Sequence, residues 1–261
     1  MNPRMILYFG GDKRIPYMKR SELESVAETF VEEYYPEAFK HNIPVDMDVV
    51  YERLGLKLEL LQLNEDFDYE GIYGMCCFTH GLVSIYDEKE EFIEHEVEPG
   101  TVIIDPRSYT ERNEGCFNNT KAHEAVHWVF HRGYFAQAAD EEGFIACREK
   151  NPYSHPQGQW SKRDFAEWQA NHLAPRILMP QTMFRVQAEN YRRQITGNRT
   201  YDIVRIAEKT GSNYPYDWLV HLLAEQYCVS LQSVRLRLQD LGDPWYEKYG
   251  KHERPYGERI V

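Results

Sequence analysis

The sequence has 261 residues, of which 42% are hydrophobic and 28% are charged. A chain of this length and composition can bury a sizeable core, in one large or two modest domains, which excludes global disorder. The formal net charge is -12. This charge disfavours proteins that bind nucleic-acid phosphates over a broad surface, because those proteins need clustered lysine and arginine.

The cysteines and the hydropathy pattern narrow the class further. An odd number of cysteines without a CxxC pair disfavours both a disulfide framework and a cysteine zinc cage. The five are Cys76, Cys77, Cys116, Cys147 and Cys228. The first residues lack the apolar segment of a signal peptide, and no apolar run is long enough to span a bilayer. We therefore predict a soluble cytoplasmic protein with no membrane partner.

Two helices and a strand are predicted in the first quarter of the sequence. Ser21 and Glu24 form a capping-box pattern, and apolar residues then keep helical spacing as far as Tyr34. Asp46 can cap a second helix that runs through Leu54. Residues 56–63 alternate in polarity, which predicts a strand.

The next segments predict a small sheet. Residues 71–78 and 82–86 flank a short turn and are predicted to form a hairpin. Residues 88–98 are strongly acidic, which favours a solvated loop or an edge strand. Residues 101–105 read TVIID and predict a short buried strand. Helices around a small mixed sheet define an α+β fold.

The segment KAHEAVHWVFHR, residues 121–132, contains His123, Glu124 and His127 in an HExxH pattern. On a helix, residues four apart share a face, so both imidazoles can aim at one zinc ion, with Glu124 beside them as a general base. Such a short pattern also occurs by chance in ordinary helices. Apolar neighbours predict that this helix is buried, and buried polar side chains need partners, which a metal would supply.

The part of the chain after this helix is predicted to be mostly helical. A long polar connection covers residues 133–162 and is followed by a helix over residues 164–178. Another helix is predicted through residue 190, and residues 191–200 are interpreted as a linker. We therefore divide the chain into a metallopeptidase-like domain, residues 1–190, and a helical C-terminal region, residues 191–261.

Two predicted helices in the C-terminal region resemble a helix-turn-helix arrangement. Asp217 can cap the first and Ser230 the second, with Gly242 as the stop signal. The second helix offers only Arg235 and Arg237 as cations. A packing or protein-binding role is therefore favoured over DNA binding.

A catalytic zinc ion normally takes three protein ligands, and HExxH supplies two. Position 133 is glycine, which rules out a histidine ligand in the HExxHxxGxxH pattern. His131 is interpreted as a helix-capping group or as a partner that supports a ligand, rather than as a ligand itself. Glu167 is the best third ligand, and Asn171 lies one turn later, where its amide can support a ligand histidine.

These motifs together resemble the ImmA/IrrE family of metallopeptidases. Members of that family typically show an HExxH helix followed by an ExxAN-type helix that runs into LMP. The resemblance spans most of residues 20–242. It is carried by Thr120, Ala122, HEAVH, His131, Glu167, Ala170, Asn171 and the ILMP of residues 177–180.

The resemblance implies a zinc endopeptidase in which His123, His127 and Glu167 hold the metal and Glu124 is the catalytic base. It implies a regulatory protein as substrate, such as a helix-turn-helix repressor of a mobile element or of a stress response. Such sites usually add a donor that stabilises the oxyanion. The candidates in the long connection are Tyr134, Tyr153 and His155.

Three alternatives stay open at this point. The protein can be a transcriptional regulator that binds zinc and cleaves nothing, although an intact Glu124 disfavours this. It can be a partner in a toxin–antitoxin pair. Two histidines and one carboxylate also suit non-haem iron, although the HExxH helix favours zinc.

Overall fold

The computed structural model describes residues 14–63, 72–87, 89, 91–137, 144–148, 159–197 and 213–250. The chain divides into two compact units, residues 1–180 and residues 181–261. Within the described residues, no helix is both long and apolar enough to cross a membrane. The first unit mixes helices and strands, so the α+β prediction is confirmed.

Along the sequence of the first unit, helices come before and after most of its strands. A 3-10 turn at Arg20–Glu22 precedes the first helix. The helices are α1 Leu23–Tyr34, α2 Glu37–His41, α3 Met47–Leu54, α4 Glu114–Val126, α5 Arg132–Phe135 and α6 Lys162–Leu178. The strands are β1 Lys57–Leu60, β2 Gln62–Leu63, β3 Ile72–Cys77, β4 Gly81–Tyr86, β5 Phe92–Val97, β6 Thr101–Ile104 and β7 Phe144–Arg148. Two π-helical segments, Ser108–Arg112 and His127–His131, flank α4.

The described strands form two sheets. The larger has the order β1-β6-β3-β7, with β1 parallel to β6 and the other pairs antiparallel. The smaller has the order β2-β4-β5 and is antiparallel. Apolar side chains from both sheets pack into one cluster: Leu63, Cys77, Val83, Ile85, Val97 and Ile103. The sheet is therefore mixed, as predicted, but it has a separate three-stranded companion.

The predicted hairpin between residues 71–78 and 82–86 is wrong. β3 pairs with β6 and β7 in the larger sheet, whereas β4 pairs with β2 and β5 in the smaller one. The predicted strand at 56–63 likewise divides into β1 and β2, which belong to different sheets. The acidic segment 88–98 contains β5. Among the described strands, β5 lies at one edge of the smaller sheet, which is the edge-strand option of the prediction.

Several helix ends follow the predicted signals. The Asp46 side chain accepts hydrogen bonds from the backbone of Asp48 and Val49, and α3 ends at Gly55, which has a positive φ of 67°. At the start of α6, where no cap was predicted, the Ser161 hydroxyl accepts a hydrogen bond from the Asp164 N–H. These caps satisfy backbone groups that a helix end leaves unpaired.

The second unit is helical throughout its described part. Its helices are α7 Gln181–Thr196, α8 Tyr214–Tyr227, α9 Leu231–Asp240 and α10 Pro244–Tyr249. The predicted domain boundary after residue 190 falls inside α7, and the compact units divide after Pro180 instead. Residues 191–196 continue that helix, so reading them as a linker was wrong.

The pair α8 and α9 is joined by residues 228–230, with Ser230 capping α9 as predicted. Arg235 forms an ion pair with Asp217 at 3.1 Å, and Arg237 is buried. Neither arginine of α9 therefore offers the open positive charge that phosphate contacts require. The helix-turn-helix interpretation and the preference for a packing or protein-binding role stay predictions.

Candidate metal centre

Three of the predicted side chains converge at one point. The Nε2 atoms of His123 and His127 face each other at 2.9 Å. Glu167 places Oε2 3.3 Å from His123 Nε2 and Oε1 3.7 Å from His127 Nε2. Each residue offers a ligand atom within 4.8 Å of the others, so the group could hold a metal ion.

The elements that carry these residues are packed against one another. His123 lies in the last turn of α4, and His127 begins the π-helical segment that continues it. Glu167 lies in α6, which packs against α4. Single π-helical turns inside helices often occur at functional sites.

The burial of the cluster fits a metal better than an empty polar core. His123, His127 and Glu167 are each at most 2% exposed. Neither Glu167 oxygen, nor His123 Nδ1, has a hydrogen-bond partner. A buried carboxylate without a partner is costly, and a divalent cation would neutralise it. Two imidazoles and a carboxylate are a donor set for zinc, and iron accepts the same set.

Glu124 lies beside the cluster and against β3. Neither of its oxygens makes a hydrogen bond of normal geometry, although the backbone of Cys76 comes near enough to favour the charged form. A Cβ on Gly74 would lie 2.6 Å from Thr120 Cγ2 and 3.0 Å from Glu124 Oε1. The missing side chain at Gly74 therefore makes room for the Glu124 carboxylate between helix and sheet.

A series of hydrogen bonds connects His127 with the backbone of Pro16. His127 Nδ1 lies 2.9 Å from His131 Nδ1, and His131 Nε2 lies 2.9 Å from Gln169 Oε1. The Gln169 amide donates from Nε2 to the carbonyl oxygen of Pro16 at 2.6 Å. All three side chains, those of His127, His131 and Gln169, are buried.

This series of hydrogen bonds determines which ring nitrogen of His127 carries the proton. The Pro16 carbonyl can only accept, so Gln169 presents its oxygen to His131, and His131 Nε2 carries the proton. A neutral His131 then accepts at Nδ1 from the Nδ1–H of His127. The Nε2 atom of His127 is left with a free lone pair that points at the cluster, which is the form a metal ligand needs.

Burial also shifts the pKa values in the directions this arrangement needs. Burial lowers the pKa of His131 to about 4, although its bond to Gln169 opposes the shift. Burial, followed by His123 and His131, holds the pKa of His127 well below its usual range. Both imidazoles are therefore neutral at pH 7. Burial and then the nearby Glu167 raise the pKa of Glu124 well above its usual range.

Within the described residues, Asn171 and Tyr134 make no hydrogen bond to the cluster. Asn171 is half-buried on α6, but His123 Nδ1 has no hydrogen-bond partner and His127 Nδ1 is taken by His131. Tyr134 is half-buried on α5 and packs edge to face against Phe135. Tyr153 and His155 lie outside the described residues.

Sequence reasoning missed Gln169, Pro16 and Gly74. The signal for Gln169 was present, since a glutamine between Ala166 and Ala170 in a buried helix needs a partner for the same reason as Glu167. Pro16 carried no signal, because its part is played by a backbone carbonyl far away in the sequence. Gly74 sits inside a strand, where a glycine often marks a close approach.

No protein-family model matches the sequence. No curated protein matches it either.

Proposed function

We propose that the protein is a zinc-dependent endopeptidase. The observation that carries the proposal is the convergence of His123, His127 and Glu167, with the buried Glu124 on the same helix as the two histidines. A buried carboxylate with a raised pKa, next to a three-ligand set, is the arrangement that peptide hydrolysis uses. The resemblance to the ImmA/IrrE family supports the same activity.

The roles of the residues follow from their positions. Zinc, when bound by His123, His127 and Glu167, would supply Lewis acidity toward a water molecule and a peptide carbonyl. Glu124 accepts a proton from the attacking water and returns it to the nitrogen of the leaving peptide. His131 holds the His127 ring in the tautomer that leaves Nε2 free.

The substrate we propose is a regulatory protein in the cytoplasm, such as a helix-turn-helix repressor. This part rests on the family resemblance alone. The helices α8 and α9 are the surface we assign to partner recognition, because Arg235 and Arg237 are engaged within the protein and leave little charge for DNA.

The deciding experiment compares wild type with Glu124→Gln. The substitution keeps size and shape but removes the proton acceptor. Both proteins would be loaded with one equivalent of zinc and incubated with peptides from a whole-proteome digest, and new termini would be counted by mass spectrometry. We expect the variant to keep its zinc and to cleave about 10²–10⁴-fold more slowly.

Two other outcomes would change the assignment. Equal cleavage by both proteins would remove Glu124 as the base. Zinc-loaded wild type that cleaves no peptide would favour the regulator that binds zinc without catalysis. Glu167→Ala is the matched control, since it should lose both zinc and cleavage.

A further inference from the structure

A second concave site lies beside the hydrogen-bond chain of His131. It is a cavity of about 530 Å³ between residues 15–20 and the beginning of α6. This volume lies within the range of sites for small molecules. The cavity and the metal cluster share one element, because Gln169 lines the cavity and binds His131.

Aromatic rings form much of the lining. They belong to Tyr17, Trp160, Phe165 and Trp168. The Trp160 ring packs against Phe165 with centroids 5.3 Å apart and an interplanar angle of 79°, and it lies 6.3 Å from the Trp168 ring. Aromatic walls of this kind favour planar apolar groups, which they can contact face to face or edge to face.

The charged residues in the described part of the lining are all cations, namely Lys19, Arg20 and Lys162. All three are exposed. The protein has a net charge of -12, so three cations around an aromatic cavity give this region a charge opposite to that of the whole protein. An anion would be attracted here and repelled by most of the remaining surface.

The inner wall is polar and fixed. Gln169 is 2% exposed, and its amide is held from both sides by His131 and by the Pro16 carbonyl. Pro16 itself also lines the cavity. The wall is therefore preorganised, which lowers the entropy that a ligand loses on binding.

We propose that this cavity binds a small planar anion, an aromatic or heteroaromatic molecule that carries a sulfonate, carboxylate or phosphate group. The rings of Trp160, Phe165 and Trp168 contact its planar part, and Lys19, Arg20 and Lys162 neutralise its charge. The site is separate from the metal ligands, so the proposal does not depend on peptidase activity.

The test uses a matched pair of fluorescent probes. The compound 8-anilinonaphthalene-1-sulfonate is an anion with planar aromatic rings, and N-phenyl-1-naphthylamine is the same ring system without the sulfonate. Titration of the full-length protein should give at least about tenfold tighter binding of the anion, since the nearby cations attract its sulfonate at short range. Circular dichroism would verify that each variant is folded.

Variants separate charge from ring contacts. Lys19→Glu with Lys162→Glu should weaken the anion about tenfold or more and leave the neutral probe unchanged. Phe165→Ser should weaken both probes, and because Phe165 is 39% exposed the fold tolerates the change. Lys89→Glu, on an exposed turn outside the cavity, is the control for a charge change alone.

Three results would overturn the proposal. Equal binding of the two probes would make the cavity an apolar groove without selectivity for anions. Loss of the anion in Lys89→Glu as large as in the double variant would assign the effect to overall charge. Unchanged binding in both the double variant and Phe165→Ser would place the probe elsewhere.

Discussion

At the scale of single residues, the metal cluster depends on side chains that do not touch the metal position. His131 Nδ1 accepts a hydrogen bond from the Nδ1–H of His127, and Gln169 Oε1 accepts one from the Nε2–H of His131. Groups of this kind set the orientation and basicity of a ligand, and their loss commonly costs 10–100-fold in metal affinity. His123 has no such support, because its Nδ1 atom has no hydrogen-bond partner. The two histidine ligands are therefore unequal.

We expect His131→Ala and Gln169→Ala each to lower zinc affinity by about 10–100-fold, because each breaks the chain that fixes the His127 tautomer. Competition with a fluorescent chelator measures the affinity. Asn171→Ala is the matched control from the same helix and should change affinity less than about twofold. A loss in Asn171→Ala equal to that in Gln169→Ala would contradict the assignment.

The sequence predicted the three side chains that converge, and it named His131 as a group that could support one of them, but it missed Gln169. HExxH spacing on a helix indicates His123 and His127, and Glu167 was inferred from its place in a packed helix and from the family resemblance. The role of Asn171 was inferred from helical spacing, which does not show which neighbouring helix a side chain meets. Gln169 pairs with a carbonyl whose position depends on the tertiary fold.

At the scale of elements, the close approach of α4 to β3 defines the site. Gly74 lets Thr120 and Glu124 of α4 lie directly against the strand. The strand pairs on both sides, with β6 and β7, so it cannot move away to make room. Interiors packed this closely accommodate extra atoms only through strain.

We expect Gly74→Ala to destabilise the protein by about 1–3 kcal/mol and to lower peptidase activity, because the new methyl group overlaps Thr120 and displaces the Glu124 carboxylate. Chemical denaturation and the peptide assay measure the two effects. Gly55→Ala is the control: it strains a positive φ in open space, so it should cost stability but leave activity per folded molecule unchanged. Normal activity in folded Gly74→Ala would contradict this role.

Several strands were predictable, but strand partners were not, and β7 lies within the segment predicted as a connection. Residues 102–104 are all apolar, and they lie in the buried strand β6 as expected. The short turn between β3 and β4 suggested a hairpin, yet both strands find partners farther along the chain. Alternating burial of Val83 and Ile85 shows which face of β4 is apolar, but any sheet with an apolar face satisfies that pattern.

At the scale of the whole molecule, the proposed metal site would make stability depend on metal. Without a cation, the first unit holds Glu167 buried with no hydrogen-bond partner for its oxygens. A ligand that binds only the folded state stabilises it by about 4 kcal/mol at a thousandfold excess over its dissociation constant. Removal of the metal should therefore be visible in unfolding.

We expect a chelator to lower the Tm of the zinc-loaded protein by an amount on the order of 10 °C, from the usual relation between stability and Tm at this chain length. Differential scanning calorimetry with and without zinc measures it. Glu167→Ala should show almost no dependence on zinc. A wild-type Tm that is the same in both conditions would contradict a metal site at this cluster.

The hydrogen bond between Gln169 and Pro16 joins residues 153 positions apart in the sequence. A ribosome adds roughly 5–20 residues each second, so on the order of ten seconds separates the synthesis of the two partners. In the last part of that interval, while residues 128–166 are added, the nascent chain carries His123 and His127 but lacks Glu167 and Gln169. Metal captured then would be held by two ligands and exchange readily. Stable metal binding therefore requires α6, which carries Glu167 and Gln169 and is synthesised after the two histidines.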